Sequence, residues 1–68
     1  MIEILVLHGG PCDGERHNGA EPVEVLRVQT QAGETAIYRR SGEYEQLRGT
    51  GMAEPFSRLW SYEWAPRP

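Results

Sequence analysis

An all-β fold, a small antiparallel meander of four to five strands closed into a compact roll or open barrel, follows from three features of this 68-residue sequence. Eight glycines and five prolines cut the chain into segments too short for long helices. The segments between them are rich in β-branched and aromatic residues. Within them, polarity alternates with period two, most clearly where Arg58, Trp60, Tyr62 and Trp64 interleave with Leu59, Ser61 and Glu63.

Taken in order, Met1 to His8 places Ile2, Ile4, Val6 and His8 on one face and Glu3, Leu5 and Leu7 on the other, the pattern of a central strand apolar on both sides. Gly9-Gly10-Pro11 ends it, and turn formers fill Gly9 to Gly19, which reads as a long loop. Pro22 suits a strand start, and Val23 to about Gln29 is β-branched. Gln31-Ala32-Gly33-Glu34 supplies a reversal, with Thr35 to Arg40 as the return strand of a hairpin. Ser41-Gly42 reads as the next turn. Glu43 to Arg48 follows as a polar edge strand, with a helical turn as the alternative. Gly49-Thr50-Gly51 and Glu54-Pro55 are breakers, and Arg58 to Trp64 is the last strand. The prolines of Ala65-Pro66-Arg67-Pro68 lack amide donors, so residues 65–68 should trail as an extended tail behind a single domain of residues 1–64. Alternation and size select Ile2, Ile4, Leu5, Val6, Val25, Leu26, Val28, Ile37, Tyr38, Leu59, Trp60 and Tyr62 for the core.

Composition bounds function. With 38% hydrophobic residues in a chain this short, the isolated fold is expected to be marginal unless a partner, a metal or cross-links support it. A net charge of −3 argues against nucleic acid and anionic lipid as partners. The longest apolar stretch, Ile4 to Leu7, is far below a membrane span, and no leader pattern opens the chain. A single cysteine excludes an internal disulfide and points to a reducing compartment or a self-assembled particle.

Candidate chemistry is sparse. The glycine-rich segment Gly9 to Gly14 lacks both the Gly-Lys-Ser/Thr of a phosphate loop and the three spaced glycines of a dinucleotide loop, so turn geometry is its reading, with Asp13 closing an Asx-turn. His8, Cys12, Asp13 and His17 carry metal-ligand side chains at H-x3-C-D-x3-H, which lacks the paired spacing of a zinc site. No residue pair suggests a nucleophile with an oriented base, so no catalytic residue and no cofactor is predicted. Aromatics beside arginine make Trp60, Tyr62, Trp64, Tyr38 and Arg39 the candidate protein interface, weighed against a simple core role. Asp13 and His17 are the candidate contacts of the loop.

The run Leu7-His8-Gly9-Gly10-Pro11-Cys12-Asp13-Gly14 after an apolar strand, with Tyr38-Arg39 at mid-chain and Tyr62-Glu63-Trp64 near the end, resembles a set of short proteins from actinobacteria and their phages. Those proteins share Gly-Gly-Pro-x-Asp-Gly, a Tyr-Arg pair and a terminal aromatic strand. The resemblance implies a phage or prophage origin, in which proteins of this length are mostly virion accessory components or small inhibitors of host systems. The expected function is therefore a non-enzymatic minor virion component, a capsid accessory or decoration protein that binds a larger protein or self-assembles. The alternative is a soluble regulatory or anti-host module that binds a host protein or small anionic ligand through Gly9 to Gly19. Virion or host cytoplasm is the corresponding location.

Overall fold

The computed structural model describes residues 2–48 and 56–66. The fold is all-β, a single five-stranded sheet curled into a half-barrel. Its strands are β1 (Ile2–His8), β2 (Arg16–Asn18), β3 (Val25–Gln29), β4 (Thr35–Arg48) and β5 (Phe56–Trp64), with a single 3-10 turn at Gly10–Cys12 between β1 and β2. The sheet order is β2-β1-β5-β4-β3. Strands β3, β4 and β5 form the expected antiparallel meander, but β5 then inserts beside β1 in parallel, with Leu5 opposite Trp60 and Leu7 opposite Tyr62. Chain order is thus broken at one junction, which leaves β1 between β2 and β5.

Three local expectations change. The segment Gly9 to Gly19 is not one open loop: Arg16–Asn18 pairs with Ile4–Val6 as β2. Main-chain bonds from Leu7 N to the Glu15 carbonyl (3.0 Å) and from Gly14 N to the Leu7 carbonyl (2.8 Å) set that register, so the backbone compensates for poor strand propensity. Ser41-Gly42 is not a turn but the start of a bulge inside one long strand, where the register against β5 shifts between Ser41 and Glu45 and Gly42 adopts φ 70°. Glu43 to Arg48 is consequently the second half of β4, and no strand flanks it opposite β5 among the described residues, in keeping with its polarity. Ala65 extends the ladder by one bond, donating from its N–H to the Ile37 carbonyl at 2.8 Å, so the tail leaves one residue later than expected. The hairpin at Gln31–Glu34 forms as predicted, closed by Thr30 N to the Glu34 carbonyl at 2.8 Å. Breakers Gly49 to Gly51 and Glu54-Pro55 lie outside the described residues.

Among the described residues the core occupies the inner face. Leu5, Leu7, Cys12, Val28, Ala36, Tyr38 and Tyr62 are buried, with Ala20, Leu26 and Trp60 packed against them. Leu7, Cys12 and Ala36 were not expected there. Ile2, Ile4, Val6, Ile37 and Leu59 were expected in the core, yet they are half-buried on the opposite, outer face, and Val25 is exposed. Parallel pairing with β5 explains the choice, because it aligns Leu5 and Leu7 with Trp60 and Tyr62, the largest side chains available to fill one face.

A short strap holds the curl. Strands β2 and β3 lie at opposite edges, and the six residues 19–24 must cross the inner face between them. Four inter-strand spacings of a flat sheet are roughly 19 Å, and the seven Cα steps from Asn18 to Val25 reach about 25 Å at full extension, so the strap has length to spare and its ties, not its length, fix it across the face. It is tied by Gly19 N to the Glu3 carbonyl (2.7 Å), by Arg40 Nη1 to the Pro22 carbonyl (2.7 Å) and by the Tyr62 hydroxyl, which donates to the Val23 carbonyl.

Candidate interaction surface

Tyr38 and Tyr62 stand on the inner face as posts for the two segments that roof it. The Tyr38 hydroxyl donates to the Gly9 carbonyl at 2.6 Å and accepts from the buried Cys12 N–H at 2.8 Å. Both tyrosines have no exposed surface. As interface candidates they are therefore corrected: alternation placed them on the right strands, but on the face that the roof covers. Burial pushes both phenols above their ordinary range, with Arg40 opposing the shift at Tyr62.

The remaining aromatics do not join into one exposed platform. Trp60 is half-buried, donates its indole N–H to Glu3 Oε2, tilts against Tyr44 at 5.0 Å and lies beneath the Arg40 guanidinium at 5.1 Å. Glu3 also pairs with Arg58 Nε at 3.1 Å, and Arg58 covers Tyr44 at 5.0 Å. These five side chains close the far end of the inner face. Tyr44, missed in the sequence, is brought onto Trp60 by the bulge. Trp64 is 44% exposed and lays its indole across the Gly9-Gly10 backbone, leaving no room for a side chain at Gly10. Arg39 lies on the outer face beside Glu63, away from Trp60 and Tyr62.

The loop candidates are engaged within the loop. Asp13 Oδ1 accepts from Gly9 N at 2.6 Å, four residues back rather than on its own backbone. His17 Nε2 meets Glu15 Oε1 at 3.0 Å. His8 is exposed at the end of β1, while Cys12 turns inward beneath Tyr38. Among the described residues, no three of His, Cys, Asp or Glu converge on a common point. Burial, reinforced by the neighbouring Glu15 carboxylate, pushes the Cys12 thiol up, so little thiolate forms near neutrality. Labelling of Cys12 by a soluble disulfide reagent at pH 8 is expected to follow global unfolding, accelerating by orders of magnitude across the urea transition; rapid labelling of the folded chain would contradict this burial. An open groove of about 490 Å3 lies between this loop and the hairpin turn, bordered by Cys12, Glu15, Thr30 and Glu34.

The outer face carries a half-buried aliphatic stripe over which no other element packs among the described residues. Register places Ile2, Ile4 and Val6 of β1 beside Ser57, Leu59 and Ser61 of β5, with Leu47 of β4 next to Ser57. None of these aliphatic residues belongs to the core cluster or is packed against it. The charged residues Arg16, Glu45, Arg39 and Glu63 flank the stripe. No protein family, curated protein or solved structure gives a match to this chain. No helix among the described residues is long and apolar enough to cross a membrane.

Proposed function

We propose that the chain is a non-enzymatic interaction protein that works through the outer face of its sheet, serving as a minor structural component, of capsid accessory or decoration type, within a larger protein assembly. The observation that carries this reading is the aliphatic stripe Ile2, Ile4, Val6, Leu59 and Leu47, which lies on one face with no layer of this chain above it among the described residues. A sheet with apolar side chains on both faces is stable in water when both are covered. The small inner core adds to the argument, since two leucines, one valine and two tyrosines supply little stability for 68 residues, and burial against a partner stabilises the folded form by mass action. The motif resemblance to short phage proteins supports the setting. Asp13 Oδ1 and His17 Nε2 are already engaged by Gly9 N and Glu15 Oε1, which weighs against a loop-based recognition site.

Sedimentation of lysates from the producing cells tests the reading. The native chain is expected to travel with large particles, and Leu59→Glu to remain with the small soluble proteins while keeping its circular dichroism spectrum. Native chain found only among small species, or a Leu59→Glu chain that still travels with particles, would refute it.

A further inference from the structure

We infer that the occupant of the outer face is a second copy of this chain, packed sheet to sheet about a two-fold axis that runs along the strands between β1 and β5. The inference rests on the outer face being the contact surface and adds what covers it: the dimer formed there is the unit that enters the assembly.

Three observations select a second copy. The first is size complementarity. About such an axis each β1 position faces the β5 position of the same row, so Ile2 meets the partner's Ser57, Ile4 the partner's Leu59 and Val6 the partner's Ser61. Large side chains on one strand oppose small ones on the other at two of the three rows, which lets the two layers interdigitate.

The second is charge. Arg16 on β2, in the row of Val6, and Glu45 on β4, in the row of Leu59, lie on opposite sides of the stripe at equal strand distance from the axis. The two-fold operation brings each towards the other, offset by one row along the strands, about 7 Å, and by the roughly 10 Å between packed sheets, so about 12 Å separates the two backbones, which an arginine and a glutamate side chain together span. One operation therefore creates two Arg-Glu contacts and no like-charge pair at those positions.

The third is area. The body measures 40 × 24 × 17 Å, and the curl makes the outer face convex, centring contact on β1 and β5, where the aliphatic residues are, with β2 and β4 at its rim. Covering half of that face removes about 500 Å2 per copy, the lower end for a specific interface. The dimer should accordingly be reversible in the micromolar range.

Light scattering and sedimentation equilibrium of the full chain between 1 µM and 1 mM read the result directly. The expected mass rises from 7.7 kDa to twice that value across the series. Ile4→Glu should weaken association at least 100-fold with an unchanged far-ultraviolet spectrum. Arg16→Glu and Glu45→Arg should each weaken it about three- to tenfold, and the double variant Arg16→Glu/Glu45→Arg should restore it. The double variant guards against misfolding, since restoration requires an intact fold. A wild type that stays monomeric at 1 mM overturns the inference. So does a dimer that survives Ile4→Glu, which would place the contact away from the outer face, and so does failure of the charge swap to restore association. A monomeric wild type whose Leu59→Glu variant still loses particle association would sink the dimer alone and leave the outer-face reading standing.

Discussion

Gly10→Ala is expected to lower the melting temperature by roughly 10–20 °C, from a loss of about 2–4 kcal/mol in a domain of this size. Two costs coincide at this position. Gly10 sits at φ 67°, a conformation in which any other residue forfeits on the order of 1–3 kcal/mol. A Cβ there would also lie 2.8 Å from Trp64 Cδ1 and closer still to two other indole atoms. The ring must move, and overpacking of this kind costs about 1–3 kcal/mol, towards the lower end because Trp64 is partly exposed and can yield. Gly33→Ala is the control: its φ is 83° but nothing lies within 4 Å of the added methyl, so only the backbone cost, about 1–2 kcal/mol, is expected. In a Trp64→Ala background the cost of Gly10→Ala should shrink to the same value, a coupling of at least about 1 kcal/mol in a double-mutant cycle. Additive effects of the two substitutions would show that the indole does not rest on the glycine.

This contact shows how much of the molecule the sequence exposes. Gly9-Gly10-Pro11 and the aromatic strand are both plain to read, and each points to its local structure; that the two meet depends on β5 lying parallel to β1, which period-two alternation does not encode. The same pairing decides which face of β1 turns inward. Ile2, Ile4 and Val6 are as apolar as Leu5 and Leu7, so hydrophobicity alone favours neither set: Leu5, Leu26 and Val28 do face the core, while Ile2, Ile4, Val6 and Leu59, expected beside them, make most of the candidate interaction surface. Strand β2, Arg16-His17-Asn18, has no strand signal of its own and forms because Glu15 and Gly14 bind the Leu7 backbone. Gly42 signals a positive φ that a turn and a bulge both use, so the 14-residue β4 reads as two strands. Hairpin, strand class and terminal aromatic strand depend on neighbours in sequence, and those are the parts that alternation and turn chemistry predict.

Tyr38→Phe should destabilise the fold by about 2–4 kcal/mol, clearly more than Tyr62→Phe at about 1–2 kcal/mol, although each removes one oxygen. The difference lies in what is left behind. Without the Tyr38 hydroxyl the Cys12 N–H stays buried with no acceptor and the Gly9 carbonyl loses its donor, so the roof over Leu5 and Leu7 loses both ties to that post. Without the Tyr62 hydroxyl one carbonyl in the strap, that of Val23, loses its donor, while Arg40 still holds Pro22. The same geometry sets the alkaline limit of the fold. Tyr38 must stay protonated to donate to Gly9, and burial raises its pKa in the folded state above that in the unfolded chain. Its contribution is thus complete below the ordinary phenol range and is lost as pH rises from about 10 towards the folded value, because the unfolded chain ionises first. Cys12 adds a loss that begins nearer pH 9, and Tyr62 one parallel to that of Tyr38. Urea midpoints measured from pH 7 to 11 should fall for the wild type above pH 9, and more gently for Tyr38→Phe because one ionising post is gone. An equal alkaline slope in the two chains would mean that the Tyr38 hydroxyl is not held neutral between Gly9 and Cys12, and the larger cost of its removal would then need another cause.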